Sequence, residues 1–188
     1  MPWSIGGSAF AACTNLTTVT FTQGETNLVA VGDYAFRGCS SLRAAVLPAS
    51  TRTIGDGAFL GCPSLSAVVI PGNVTVIGSS AFQDAAGVTA VTFAVPSKLT
   101  ALKDYAFGYL AALTSLELPN TVRTLGEAAF SGAFSLTSVS IPNGTRVSID
   151  AFDGCGCDNA LFKPGSILCD CKPAASWPCN LTAVSAAT

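Results

Sequence analysis

The sequence predicts a right-handed, β-rich solenoid of stacked repeats, and three observations carry that expectation. Seven Ala-Phe pairs end at Phe10, Phe36, Phe59, Phe82, Phe107, Phe130 and Phe152, in steps of 26, 23, 23, 25, 23 and 22 residues. A fixed period in this range marks one supersecondary unit that buries its apolar face on neighbouring copies. Between the pairs, apolar residues fall in the period-2 alternation of strands with one buried face. Finally, 49% of the residues are hydrophobic and only 11% charged, a composition that packs rather than stays solvated.

The unit repeats in register. Six places after each Phe comes Leu16, Leu42, Leu65, Val88, Leu113 or Leu136. Three and five places further come pairs such as Val68 and Ile70, Leu116 and Leu118, or Val139 and Ile141, which read as a strand. Pro48, Pro71, Pro119 and Pro142 then follow; lacking a ladder donor, proline marks where a strand stops pairing. A second apolar pair, such as Val74 and Ile77 or Val122 and Leu125, leads to a glycine and the next Ala-Phe. Gly6, Gly32, Gly55, Gly78 and Gly126 are expected there to serve a tight corner. Phe21 to Leu28 and Phe93 to Leu99 carry extra residues, which map to loops at one edge.

Written out, the unit is L-x-x-V-x-I-P-x-x-V-x-x-I-G-D-x-A-F-x-G-C. It resembles the BspA-like leucine-rich-repeat family over about residues 5–155. The resemblance implies a leucine-rich-repeat solenoid with its parallel sheet on the concave face, and turns with short strands or 3-10 segments on the convex side. It also implies a secreted or cell-surface protein that binds host or matrix proteins. Residues 1–155 form the expected solenoid of six to seven units, and 156–188 a Cys-rich C-terminal cap or tail. The chain opens in mid-unit, the expected mark of a piece of a longer chain.

Charge and hydropathy exclude several classes. The net charge is −2 with no basic run, so phosphate-driven nucleic-acid binding lacks support. No stretch approaches the ~20 uninterrupted apolar residues that cross a bilayer, so direct membrane insertion is not expected. Met1 to Phe10 has no basic-then-apolar leader pattern.

The eight cysteines divide in two. Cys13, Cys39, Cys62 and Cys155 each follow the repeat Phe by three places, where other units carry Ala85, Leu110 and Ala133. A site shared with Ala and Leu wants a small apolar filler, and free Cys behaves as one. Cys157, Cys169, Cys171 and Cys179 sit in the core-poor tail and are disulfide candidates in an oxidising compartment. Cys169-Asp170-Cys171 is similar to one piece of the disulfide-bonded caps that close extracellular leucine-rich repeats. A thiolate metal site and reduced thiols are the other readings; Cys-x-Cys spacing and the absence of histidine weigh against metal. Four sequons, at Asn15, Asn73, Asn143 and Asn180, are consistent with secretion, although Asn, Gly and Thr are also ordinary turn residues.

Asp33, Asp56, Asp104, Glu127 and Asp150 form an acidic column before Ala-Phe, with Ser79 in one unit. Stacked carboxylates raise the idea of a calcium ladder. The ordinary reading is stronger: Asp and Ser both accept backbone N–H bonds and close the following turn. Catalysis has no histidine, phosphate loop or nucleophile elbow to work with, so neither enzyme activity nor a cofactor or metal is expected.

A partner, expected to be a protein, is placed on the outward positions of the first strand. The candidate residues are Thr18, Arg43, Ser66, Val69, Thr89, Thr92, Thr114, Glu117, Ser138 and Ser140. This surface is small-residue, flat and charged only at Arg43 and Glu117, so it lacks strong aromatic anchors. Tyr109 and Phe134, on the opposite turns, are the competing apolar anchors. Three function classes follow: a protein-interaction or adhesion module, a structural spacer within a larger surface protein, and, remotely, an ice- or water-ordering surface.

Overall fold

A computed structural model of the 188-residue chain describes residues 1–21, 27–148 and 150–155, together with the backbone of two short tail strands. Each pass of the chain contributes two strands separated by the Ala-Phe turn, and the passes stack as rungs. The odd-numbered strands are β1 (Trp3–Ile5), β3 (Leu28–Val31), β5 (Thr53–Ile54), β7 (Val76–Ile77), β9 (Ala101–Leu102), β11 (Thr124–Leu125) and β13 (Arg146–Val147). The even-numbered ones are β2 (Thr18–Val19), β4 (Ala44–Ala45), β6 (Ala67–Ile70), β8 (Ala90–Phe93), β10 (Ser115–Glu117) and β12 (Ser138–Ser140). In the tail, β14 (Ile167–Asp170) pairs antiparallel with β15 (Asn180–Ala183), and β14 lies alongside β12. No helix occurs among the described residues.

The parallel solenoid agrees with the repeat pattern, and its strands divide between two sides of each rung. The odd strands form one seven-stranded parallel sheet. The even strands pair as β2 with β4, β6 with β8 and β10 with β12, and no ladder joins β8 to β10. The second apolar pair of the unit therefore builds the longer continuous sheet.

Two side-chain columns fill the interior. The seven phenylalanines stack ring on ring, with centroids 5.1–5.6 Å apart and interplanar angles of 3–13°. This lies in the favourable range for near-parallel aromatic pairs. Phe36, Phe59, Phe82, Phe107, Phe130 and Phe152 are buried, whereas Phe10 ends the stack and is 42% exposed. Beside them, Cys39 and Cys62 are buried with reduced thiols that do more than fill space. Cys39 Sγ donates to the Phe10 carbonyl at 3.1 Å, Cys62 Sγ to that of Phe36 at 3.2 Å, and Cys155 Sγ to that of Phe130 at 3.4 Å. Burial pushes the Cys62 thiol up to about 12, with a smaller contribution from neighbouring Cys39, and burial also raises Cys39. Cys13, on the first rung, is exposed, so the filler reading does not extend to it.

The turns are a backbone ladder. In one rung the N–H groups of Tyr34, Phe36 and Gly38 donate to the carbonyls of Asp56, Ala58 and Leu60 in the next, each at 2.8 Å. Left-handed backbone recurs two places before each Phe from Phe10 to Phe130 and two places after every repeat Phe. Tyr34, Tyr105 and Ala128 occupy the first column at φ 57°, 54° and 51°, and Ala12, Asp84 and Tyr109 the second at 58°, 60° and 58°. Each such non-glycine residue costs on the order of 1 kcal/mol, which the stacked rungs offset.

The glycines before the acidic column are needed for a reason other than a tight corner. A Cβ on Gly78 would lie 2.5 Å from the Gly55 carbonyl carbon and 2.6 Å from Asp56 N and Oδ1, and one on Gly126 would lie 2.5 Å from Asp104 Oδ1. Glycine therefore lets adjacent rungs approach and leaves room for the carboxylate of the rung before. Those carboxylates do not close their own turns, as the sequence suggested, but staple rungs together. Asp33 Oδ1 accepts from Asp56 N at 2.9 Å, Asp56 Oδ1 from Ser79 N at 2.8 Å, and Asp104 Oδ1 from Glu127 N at 2.8 Å. Asp150 falls one place later relative to its Phe and does not share the column. In the unit after Ser79, Lys103 takes the glycine position, and its Nζ pairs with Asp56 Oδ1 at 3.3 Å.

Candidate functional site

The even strands bring all ten predicted partner-binding residues onto one face. Its inner column runs Thr17, Arg43, Ser66, Thr89, Thr114 and Thr137; the middle column Thr18, Ala44, Ala67, Ala90, Ser115 and Ser138; the outer column Thr20, Val46, Val69, Thr92, Glu117 and Ser140. The register aligns Ala67 with Ala90, Val69 with Thr92, and Glu117 with Ser140. Thr18, Arg43, Ser66, Val69, Thr89, Thr92, Thr114 and Glu117 are exposed. Ser138 and Ser140 are half-buried on β12, the strand beside β14.

Its chemistry changes along the stack. In the middle rungs the outer and middle columns are apolar, with Val46 64% and Val69 55% exposed. Hydroxyls dominate toward both ends, yet several of them are already engaged. Ser66 Oγ donates to the Arg43 carbonyl at 3.4 Å, Thr89 Oγ1 to that of Ser66 at 3.2 Å, and Thr137 Oγ1 to that of Thr114 at 3.2 Å. These side chains therefore knit rungs and present mainly methyl or methylene surface outward.

A second feature, absent from the ten, adjoins the face. Three residues separate Ile70 from Val74 and Leu118 from Val122, but five separate Phe93 from Leu99. The longer loop is fixed by Ala94 N to the Ile70 carbonyl at 2.9 Å and Lys98 N to that of Gly72 at 2.8 Å. Pro96 O packs so closely on Gly72 that a Cβ there would collide with it. On its other side the loop borders an open groove of about 650 Å³ that runs to the Glu117–Thr121 segment. The only sequence signal for it was the departure from unit length at an apolar Val95.

The competing aromatic anchors are partly committed. Tyr109 lies over Gly132 of the next rung, where any side chain would meet its ring, while Phe134 is 63% exposed. Among the sequons, Asn73 Nδ2 donates to the Ala49 carbonyl at 2.9 Å, and Asn15 and Asn143 are exposed. Cys157, Cys171 and Cys179 lie outside the described residues, as do the side chains of Cys169 and Asn180.

The sequence pattern of the BspA type leucine-rich repeat region matches in six copies, over residues 3–109 and 29–158. The chain belongs to this family. The fold is similar to that of the leucine-rich repeat protein of T. pallidum, at 28% identity and a TM-score of 0.56, covering 84% of this chain and 60% of that one. It is also similar to the pneumococcal vaccine antigen PcpA, at 23% identity and a TM-score of 0.60, covering 75% and 36%. A leucine-rich repeat protein from Eubacterium ventriosum matches at 24% identity and a TM-score of 0.54, covering 74% and 42%. The chain thus spans from about a third to three-fifths of the length of these solved proteins. No curated protein matches it. As in any BspA-type repeat, the conformation of one rung is copied by the next, so the even-strand face is an array of near-equivalent positions.

Proposed function

We propose that this BspA-type repeat chain is a non-catalytic protein-interaction or adhesion module, extracellular or cell-surface, that engages a protein ligand across the even-strand face. The observation that carries this reading is the alignment of all ten candidate residues on one face, with an exposed apolar centre at Val46, Ala67, Val69 and Ala90. Exposed apolar surface with a polar surround is a common mark of an interaction site. The carboxylates of Asp33, Asp56 and Asp104 are spent on backbone N–H groups of the next rung, and the Cys62 thiol is held protonated. Both features support a non-catalytic role. Surface location is supported by the family resemblance, the exposed sequons and the tail cysteines.

The engaged hydroxyls of Ser66, Thr89 and Thr137 favour a second reading, a spacer whose face recognises nothing. The same engagement leaves few free donors for ordering water or ice. Binding of the purified chain to immobilised extracellular-matrix and host-surface proteins separates the two main readings. Ala67→Trp and Thr92→Trp should abolish the binding seen with the wild type while leaving the thermal melt unchanged. If the wild type binds none of the panel, the spacer reading stands. If both variants keep full affinity while Phe134→Ala loses it, the surface lies on the opposite turns.

A further inference from the structure

Beyond the protein-binding reading of the even-strand face, we infer that the ridge of Phe turns around Tyr105 and Tyr109 is a carbohydrate-binding site. It takes a neutral pyranose sugar, stacked on the tyrosine rings and hydrogen-bonded by Gln83 and Asp84. The chain has three tyrosines, Tyr34, Tyr105 and Tyr109, and all three adopt left-handed backbone. An aromatic residue is an outlier in that conformation. The turn does not itself ask for a side chain. Gly57 fills the place equivalent to Tyr34 and Tyr105, and Gly61 and Gly132 the place equivalent to Tyr109, at φ 59°, 69° and 73°. Nor does core burial account for the ring, since Tyr109 lies over Gly132 and stays 40% exposed. Strain that neither the turn nor the core requires points to a role at the surface.

The surroundings define the ligand. Tyr34 lies over Gly57 in the same way, but there the Arg37 guanidinium stands 5.8 Å from the ring centre. Among the described residues, no ring or cation stacks on Tyr105 or Tyr109. Gly108 keeps a notch open beside them: a Cβ there would lie 3.5 Å from Tyr105 Cδ1 and 3.6 Å from Gln83 Cγ. Asp84 holds, one rung earlier, the place that Tyr109 holds, and its N–H donates to the Gly108 carbonyl at 3.1 Å. Neither the Gln83 amide nor the exposed Asp84 carboxylate has a side-chain partner among the described residues. An open ring with these groups at its side matches a pyranose. The C–H face of the sugar meets the electron-rich face of the ring. Its hydroxyls, which both donate and accept, meet the acceptor-only carboxylate and the amide, which does both.

Saturation-transfer NMR of the whole chain with cellotriose, chitotriose and mannotriose tests this. At least one of these sugars should receive saturation from the aromatic protons and bind saturably. Tyr109→Ala places a residue type that is already left-handed at Ala12 and Ala128, and should weaken that binding at least about tenfold. Gln83→Ala should weaken it about threefold, both variants keeping the wild-type melt. Tyr34→Ala and the even-face variant Ala67→Trp should bind sugar as the wild type does, which separates this result from the fate of the protein-binding reading. Saturable binding of none of the three sugars overturns the assignment, as does binding that survives Tyr109→Ala or is lost equally in Tyr34→Ala. If tetramethylammonium shifts the Tyr109 ring signals and the sugars do not, the ridge is a cation site and the carbohydrate assignment falls.

Discussion

The two long sides of the solenoid contain comparable strands in the same rungs, yet only one side zips into a single sheet. On the seven-stranded side, glycine lets the rungs approach, the ladder continues past the strands through Gly55 N to Val31 O and Gly78 N to Ile54 O, both 2.9 Å, and carboxylate staples close it. On the other side the strands pair in twos and the loop after β8 departs from the unit length. The difference teaches where tolerance lies: the glycine–aspartate side fixes the stack, and the even-strand side accommodates variation in unit length.

The largest effect that tests this division belongs to the core both sides share. Phe82→Ala, in mid-stack, should lower the unfolding free energy by ~3–5 kcal/mol, because the rigid rungs cannot collapse around the lost ring. Half-exposed Phe10→Ala should cost clearly less; equal losses in urea denaturation would mean that the stack is not cooperative from its interior outward.

Next come the rung staples. Gly78→Val should cost ~1–3 kcal/mol by overpacking against the rung before. Introducing Asp56→Ser with Gly78→Lys, which copies the natural Ser79 and Lys103 arrangement, should be less damaging than Gly78→Lys alone. Additive costs in that double-mutant cycle would break the link between glycine and carboxylate.

Smaller, and dependent on pH, is the thiol column. The folded-state Cys62 thiol is raised from 9.0 to about 12, so above pH 9 the unfolded chain releases a proton that the folded chain retains. Its stabilising contribution is fully present below pH 9 and is lost as pH rises toward 12. Cys62→Ala, the residue type used at Ala85 and Ala133, should therefore flatten the decline in melting temperature between pH 9 and 11. An unchanged pH profile would show that the thiol is not held protonated.

Smallest is Tyr109→Gly. Relief of a left-handed tyrosine at φ 58° opposes the loss of a ring lying over Gly132, so stability should change by less than ~1 kcal/mol. A large loss would show that the ring carries real packing.

Much of this was legible in the sequence because a repeat reports each position several times. Seven Ala-Phe pairs gave the rung spacing, and L-x-x-V-x-I gave the face that carries Thr92 and Glu117. What stayed hidden depended on relations between rungs. Pattern alone could not tell that Asp56 bonds Ser79 N rather than its own turn, because both roles suit Asp equally. Nor could it assign the continuous sheet, since two-residue strands such as Thr53–Ile54 carry too little alternation to stand out. Asp150 shows the limit of columns drawn by eye: a one-residue shift puts it in a different place. The groove was hidden for a related reason, because an irregular loop offers no second copy to read against.

The turn ladder has one more consequence. Its bonds run from main chain to main chain, so a rung recognises its neighbour with little regard to side-chain identity. Excising residues 60–82 joins Phe59 to Gln83 and leaves every column in register. The product should fold as the same stack, shorter by one strand spacing of ~4.8 Å. The chain is thus built as a molecular ruler, in which the length of the even-strand face is set by counting units.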